Sequence, residues 1–243
     1  IECRLLLEGD LNTNQAKSKN TSEPFNLVKP NSTCPKCKTA IKPWQNIPII
    51  SWLILKGKCA SCNNPISIRY PAIEAITALL SLVIAYTFGA TEQALLYIVI
   101  TWALVALTFI DIDHMLLPDQ LTLPLVWLAL IAAVAGITIT PSDAIMGAAF
   151  GYLSLWSVFW LFKFATGKDG MGFGDFKLLA ALGAWFGWQF LPMIILLSSF
   201  VGAVVGIGGI IIMGRDKNIP IPFGPYLASA GWIVAMWGAD IME

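Results

Sequence analysis

The chain has 243 residues, 57% of them hydrophobic and 12% charged, with zero formal net charge and a mean hydropathy of +0.72. A soluble domain carries about a quarter charged residues, so this composition excludes one and points to an integral membrane protein. A balanced charge gives no reason to expect a nucleic-acid partner; the information lies in where the charges sit.

No apolar signal-peptide segment opens the chain, and residues 10–33 are polar and turn-rich, which predicts a flexible stretch. Two Cys-x-x-Cys knuckles follow, Cys34 with Cys37 and Cys59 with Cys62, separated by 21 residues. Four thiolates at this bite suit a tetrahedral zinc ion with no open coordination position, so the metal is expected to fold the segment rather than to catalyse. Disulfides are not expected in a reducing compartment, and no βαβ pattern supports a redox role. Cys3 is left over without an evident role. Between the knuckles, IKPWQNIPIISWLILKGK is apolar and aromatic and is expected to pack over a membrane surface rather than span it.

Apolar stretches of spanning length then succeed one another at about 71–89, 93–110, 120–138, 144–163, 176–188, 191–213 and 223–240. Helices are required, because lipid tolerates no unpaired backbone and no alternating strand pattern occurs. The fold class expected is therefore an all-α polytopic membrane protein of seven spanning helices carrying a small cytoplasmic zinc module. Residues 1–70 form the cytoplasmic segment, with the module at about 30–66, and residues 71–243 form the helical domain. Ten of the fifteen Lys and Arg precede residue 71, and the other five are Lys163, Lys168, Lys177, Arg215 and Lys217. Seven spans place all of them on one side, which the positive-inside rule makes cytoplasmic.

Two aspartates stand at that cytoplasmic rim. Asp111 ends the second apolar run, and Asp175 opens the fifth, after Gly172 and Gly174. Acidic groups at the edge of hydrocarbon are costly and are usually kept for function. Paired carboxyls can share a proton, one acting as base on a water while the other protonates a scissile carbonyl. Asp113, two positions from Asp111, is expected to point elsewhere, and His114 to be a surface group. Asp119 suits a helix cap at the start of the third span, Glu74 sits about one turn into the first, and Lys163 and Lys177 are placed to snorkel. A capping role for Asp175 is compatible with a catalytic one.

Several of these motifs together resemble the type IV prepilin peptidases. They are Pro30 to Cys37, Pro43 to Pro48, Cys59 to Cys62, Arg69 to Pro71 with Glu74, Ile110-Asp111, Leu117 to Asp119, Gly170 to Lys177, and Pro222 to Pro225. The similarity runs from about residue 24 to the end. It implies a bacterial inner-membrane aspartic endopeptidase of the Gly-x-Gly-Asp type, with Asp111 and Asp175 as the catalytic pair and the four cysteines as a zinc module. It implies prepilin and type II secretion pseudopilin substrates, cut at a basic leader, and N-methylation of the new N-terminus with S-adenosylmethionine. Members normally carry a further spanning helix at the beginning, giving eight where this chain has seven. The competing class is a non-enzymatic zinc-bearing scaffold of a secretion or pilus apparatus.

Overall fold

A computed structural model describes residues 33–34, 36–167, 170–213 and 221–242. Cys3, Lys168, Arg215, Lys217 and almost all of the polar stretch 10–33 lie outside the described residues. Regular elements among the described residues are all helical: α1 (Ile50–Ile54), α2 (Arg69–Phe88), α3 (Glu92–His114), α4 (Asp119–Val134), α5 (Pro141–Thr166), α6 (Phe173–Phe186), α7 (Leu191–Met213) and α8 (Gly224–Met242). Short 3-10 turns occupy Pro43–Asn46 and Trp188–Phe190. A helix stands at each of the seven apolar stretches. Among the described residues, four segments are long and apolar enough to cross a membrane: Arg69–Phe88, Glu92–His114, Pro141–Thr166 and Trp188–Gly209.

Local chemistry sets the helix ends. Met115 takes a left-handed conformation (φ 52°) and closes α3 by donating its N–H to the Asp111 carbonyl. Gly136 (φ 73°) stops α4 at Val134, so this helix is shorter than the run to residue 138 predicts. The Thr140 hydroxyl accepts the Asp143 N–H ahead of Pro141, which starts α5 earlier than expected, and Gly167 (φ 69°) ends it.

The described residues fall into two compact units, divided between Leu79 and Leu80. In the first, the two cysteine knuckles have the same backbone build. Cys34 N–H bonds the Thr39 carbonyl and Cys59 N–H the Asn64 carbonyl, each loop turning through a residue at positive φ, Lys38 or Asn63. Isolated β-bridges, Thr33 with Ala40 and Lys58 with Pro65, close both loops. Trp52 packs on Gly57 and donates its indole N–H to the Ile66 carbonyl at 3.2 Å. Glu74, in the first turns of α2, accepts the Ile49 N–H at 2.8 Å and so holds the start of α1.

In the second unit α6 is the hub. Eleven of its 14 residues are buried, and it packs against α4, α5 and α8. At 1.5 Å per residue it spans about 21 Å, less than the ~30 Å of hydrocarbon, and its burial inside protein makes that length sufficient. The contact with α5 is backbone against backbone: Gly147 meets Gly183, and a Cβ at Gly151 would lie 2.6 Å from the Leu179 carbonyl. Gly147 and Gly151 are four apart, the small-residue spacing that lets membrane helices approach closely. The buried Trp185 indole donates to the Leu125 carbonyl of α4 at 3.1 Å. Three rings, Phe159, Phe173 and Phe176, pack with centroids 5.3–5.7 Å apart and lock the start of α6 onto α5.

Gly147→Ala places a methyl group into the Gly183 carbonyl and should cost roughly 1–3 kcal/mol of stability. Gly208→Ala, with nothing within 4 Å, is the control and should be neutral or slightly stabilising. Thermal unfolding of both variants in detergent checks this; equal midpoints would refute the close contact.

Candidate active site and metal centre

Asp111 lies in the last turn of α3 and Asp175 in the first turn of α6, and both are buried, 5% and 7% exposed. Asp175 is the third helical residue of α6, behind the N-cap Gly172, rather than the cap itself. The Gly172 backbone hydrogen-bonds its carboxylate, the geometry of half a capping box. Leu117 lies against both Gly174, the neighbour of Asp175, and Gly224, whose N–H reaches Asp111, so the two helix ends that carry the carboxyls meet at one corner. Residues 64 apart in sequence are therefore brought to one site.

A third element completes it. Gly224, the first residue of α8, donates its buried N–H to Asp111 Oδ2 at 2.9 Å. A helix start presents unpaired N–H groups and a positive dipole end, which suits a carboxylate. The position has no room for a side chain, since a Cβ there would lie 2.7 Å from Asp111 Oδ2 and 3.1 Å from Leu117 Cδ2. Leu117, itself buried, also sits against Gly174, where a Cβ would meet the Leu117 Cβ at 2.6 Å. Leu117 thus wedges between the starts of α6 and α8 and fixes their spacing at the end of α3. The motif Pro222 to Pro225 was the signal for Gly224, although sequence reading assigned it no task.

The remaining acidic residues separate from this pair. Asp113 and His114 are exposed, as the helical turn from Asp111 dictates. Asp119, first residue of α4, is engaged by Lys177 of α6, whose Nζ lies 2.6 and 2.8 Å from its two oxygens. It is an ion-pair partner bracing two helix starts, more than a cap. Lys163 lies 5.5 Å from the ring centroids of both Phe159 and Trp160.

The four cysteines Cys34, Cys37, Cys59 and Cys62 bring their sulfurs within 4.8 Å of one another. Sγ–Sγ separations of 3.8 Å (Cys34–Cys62) and 4.0 Å (Cys37–Cys59) compare with the ~3.8 Å edge of a tetrahedron built on ~2.3 Å metal–sulfur bonds. The Thr39 hydroxyl and backbone lower the Cys37 thiol to about 6. Cys62 is pushed up to about 11: the Asn64 backbone favours its thiolate, but desolvation and the neighbouring thiols outweigh it. Four adjacent thiolates repel one another, and a cation among them removes that repulsion. The donor set fits a metal ion.

Buried carboxyls drawn from separate helices, on a chain with membrane-length helices, define a membrane protein with a paired-carboxyl site. The Type IV leader peptidase family profile matches residues 98–207, and the bacterial peptidase A24 N-terminal domain profile matches residues 13–88. A Pseudomonas aeruginosa protein named prepilin leader peptidase/N-methyltransferase is 58% identical over 217 residues, 89% of this chain and 75% of that protein. One of the same name from Aeromonas hydrophila is 56% identical over 218 residues, 90% of this chain and 75% of the relative. Another, from Dichelobacter nodosus, is 49% identical over 217 residues, 89% of this chain and 74% of the relative. No solved structure matches the chain. The chain belongs to the type IV leader peptidase family.

The Lys177–Asp119 pair is 27% and 54% exposed, and exposed pairs contribute about 0–1 kcal/mol. Lys177→Met should therefore lower the unfolding free energy by ~1 kcal/mol at most. A larger loss in a denaturant titration would mean that the pair bears on the fold.

Proposed function

We propose that this chain is a membrane-embedded aspartic endopeptidase of a bacterial inner membrane. It removes the leader peptide from type IV prepilins and type II secretion pseudopilins, and it N-methylates the new N-terminus. The observation that carries the reading is the pair Asp111 and Asp175, buried, drawn from separate helices, and gathered at the corner where Leu117 meets Gly174 and Gly224. Like charges that close are not both ionised readily, so the pair holds one proton between them. One carboxylate draws a proton from water as it attacks the scissile carbonyl, and the protonated partner donates to the carbonyl oxygen. The Gly224 N–H keeps Asp111 in the orientation this requires. A scaffold role would leave two buried carboxyls on membrane helices without a function.

The substrate fits this depth. A basic leader stays in water on the cytoplasmic side while the apolar helix after it lies in lipid, which puts the scissile bond at the rim. We place residues 71–243 as seven spans around the site and the cysteine module, about 30–66, on the cytoplasmic side. Zinc is the metal we assign to Cys34, Cys37, Cys59 and Cys62, as a structural ion stapling a segment too small to hold itself by core burial. S-adenosylmethionine supplies the methyl group when bound. A cavity of about 580 Å³ beside the cysteines, lined largely by apolar surface with Lys38, Gln45, Ser61, Asn64 and Tyr70 among its residues, has the volume for a cofactor of that size.

Asp111→Asn and Asp175→Asn should each abolish cleavage of a prepilin by the detergent-purified enzyme without loss of membrane insertion. Full processing by either variant sinks the assignment. Gly224→Ala, which displaces the Asp111 carboxylate, should lower kcat by about 10²-fold with little change in KM.

For the metal, elemental analysis of the purified chain should give one zinc per molecule. The double change Cys59→Ser and Cys62→Ser should remove it and make the segment protease-sensitive. Wild-type protein free of zinc would end that part of the proposal.

A further inference from the structure

The segment between the two knuckles carries an apolar face that the first unit does not use. Helix α1 turns Trp52 inward, onto Gly57 and the Ile66 carbonyl. At 100° per residue, Ile50, Leu53 and Ile54 therefore share the opposite face. All three are exposed, Leu53 by 61% and Ile54 by 68%, and so are Trp44 and Ile47 just before the helix and Ile68 after it. Five large apolar side chains within eleven residues, 44 to 54, left in water would be an unusual solvent-facing surface.

The charges around this face are of one sign. Residues 33–68 contain five lysines and no acidic residue, so the module stays basic even when four thiolates hold a divalent cation. Lys42 stands at one end of the apolar segment and Lys56 and Lys58 at the other, all exposed. Apolar and tryptophan side chains flanked by snorkelling lysines are the composition of an element lying in a membrane interface. The chain continues from exposed Ile68 directly into Arg69–Phe88, a helix long and apolar enough to span. The module is thus tethered where a bilayer surface begins.

We propose that Trp44, Ile47, Ile50, Leu53 and Ile54 insert into the headgroup region of the bilayer, and that Lys42, Lys56 and Lys58 bind anionic lipid. The zinc module is then seated on the membrane, with the partner a lipid surface of negative charge. This inference is independent of the peptidase chemistry.

The test uses the full chain in liposomes of phosphatidylethanolamine and phosphatidylglycerol doped with a diazirine lipid. After irradiation, labelled peptides are mapped by mass spectrometry. Label should appear on residues 44–54 as well as on α7. Ile50→Asp combined with Leu53→Asp should remove label from 44–54 while α7 labelling and zinc content are retained. Lys42→Glu with Lys56→Glu and Lys58→Glu should reduce that label in anionic liposomes and leave it unchanged in phosphatidylcholine. An unlabelled 44–54 peptide in wild-type protein overturns the proposal. So does a bifunctional crosslinker joining this face to another part of the chain, because the face is then covered by protein.

Discussion

A carboxyl carried on a helix of membrane length needs a hydrogen-bond donor, and Asp111 finds one in the Gly224 N–H, 113 residues further along. Much of the site follows from that bond. It requires α8 to begin beside the end of α3, so that unpaired amides face the carboxylate. It requires a residue without a side chain at that point, because a methyl group would occupy the oxygen's place. It also requires a spacer of the right size between α6 and α8, which Leu117 supplies. Asp175 then arrives on the start of α6, next to Gly174, which packs against the same Leu117.

Holding two carboxyls in one buried site demands a rigid frame, since each would otherwise turn toward water. Helix α6 provides it by being buried on nearly all sides and by contacting α5 through backbone at Gly147 and Gly183. Small residues give close approach, and close approach gives many weak contacts and little freedom to slide. The rings of Phe159, Phe173 and Phe176 act at the same end as the carboxyl, so the start of α6 that carries Asp175 is held firmly against α5. Short helix length is the consequence: a central helix surrounded by protein need not match the bilayer.

The cysteine module solves a different problem with the same economy. Too few residues lie between the knuckles to build a core, so order comes from turns and from sulfur atoms placed at a metal's distances. Each knuckle is fixed by its own hydrogen bonds and a left-handed residue, and Glu74 of α2 secures the helix between them. Because the interior is so small, the remaining apolar side chains point outward, and their environment has to come from elsewhere.

How much of this was legible beforehand depends on the range of the interaction. Sequence pattern alone sufficed for the helices, their order, the four-thiol cluster and the separation of Asp111 from Asp113. Each of these rests on residues near one another in the chain: apolar run length, knuckle spacing, helical turn. It missed the end of α4 by a few residues because a left-handed Gly136 outweighs continuing apolarity. Helix packing in three dimensions was needed to reveal that Gly224 holds Asp111, that Leu117 spaces two helices, that Asp119 pairs with Lys177, and that Gly147 and Gly183 touch. Those contacts join distant residues through helix packing, and packing depends on the shapes of whole faces, which no local pattern encodes.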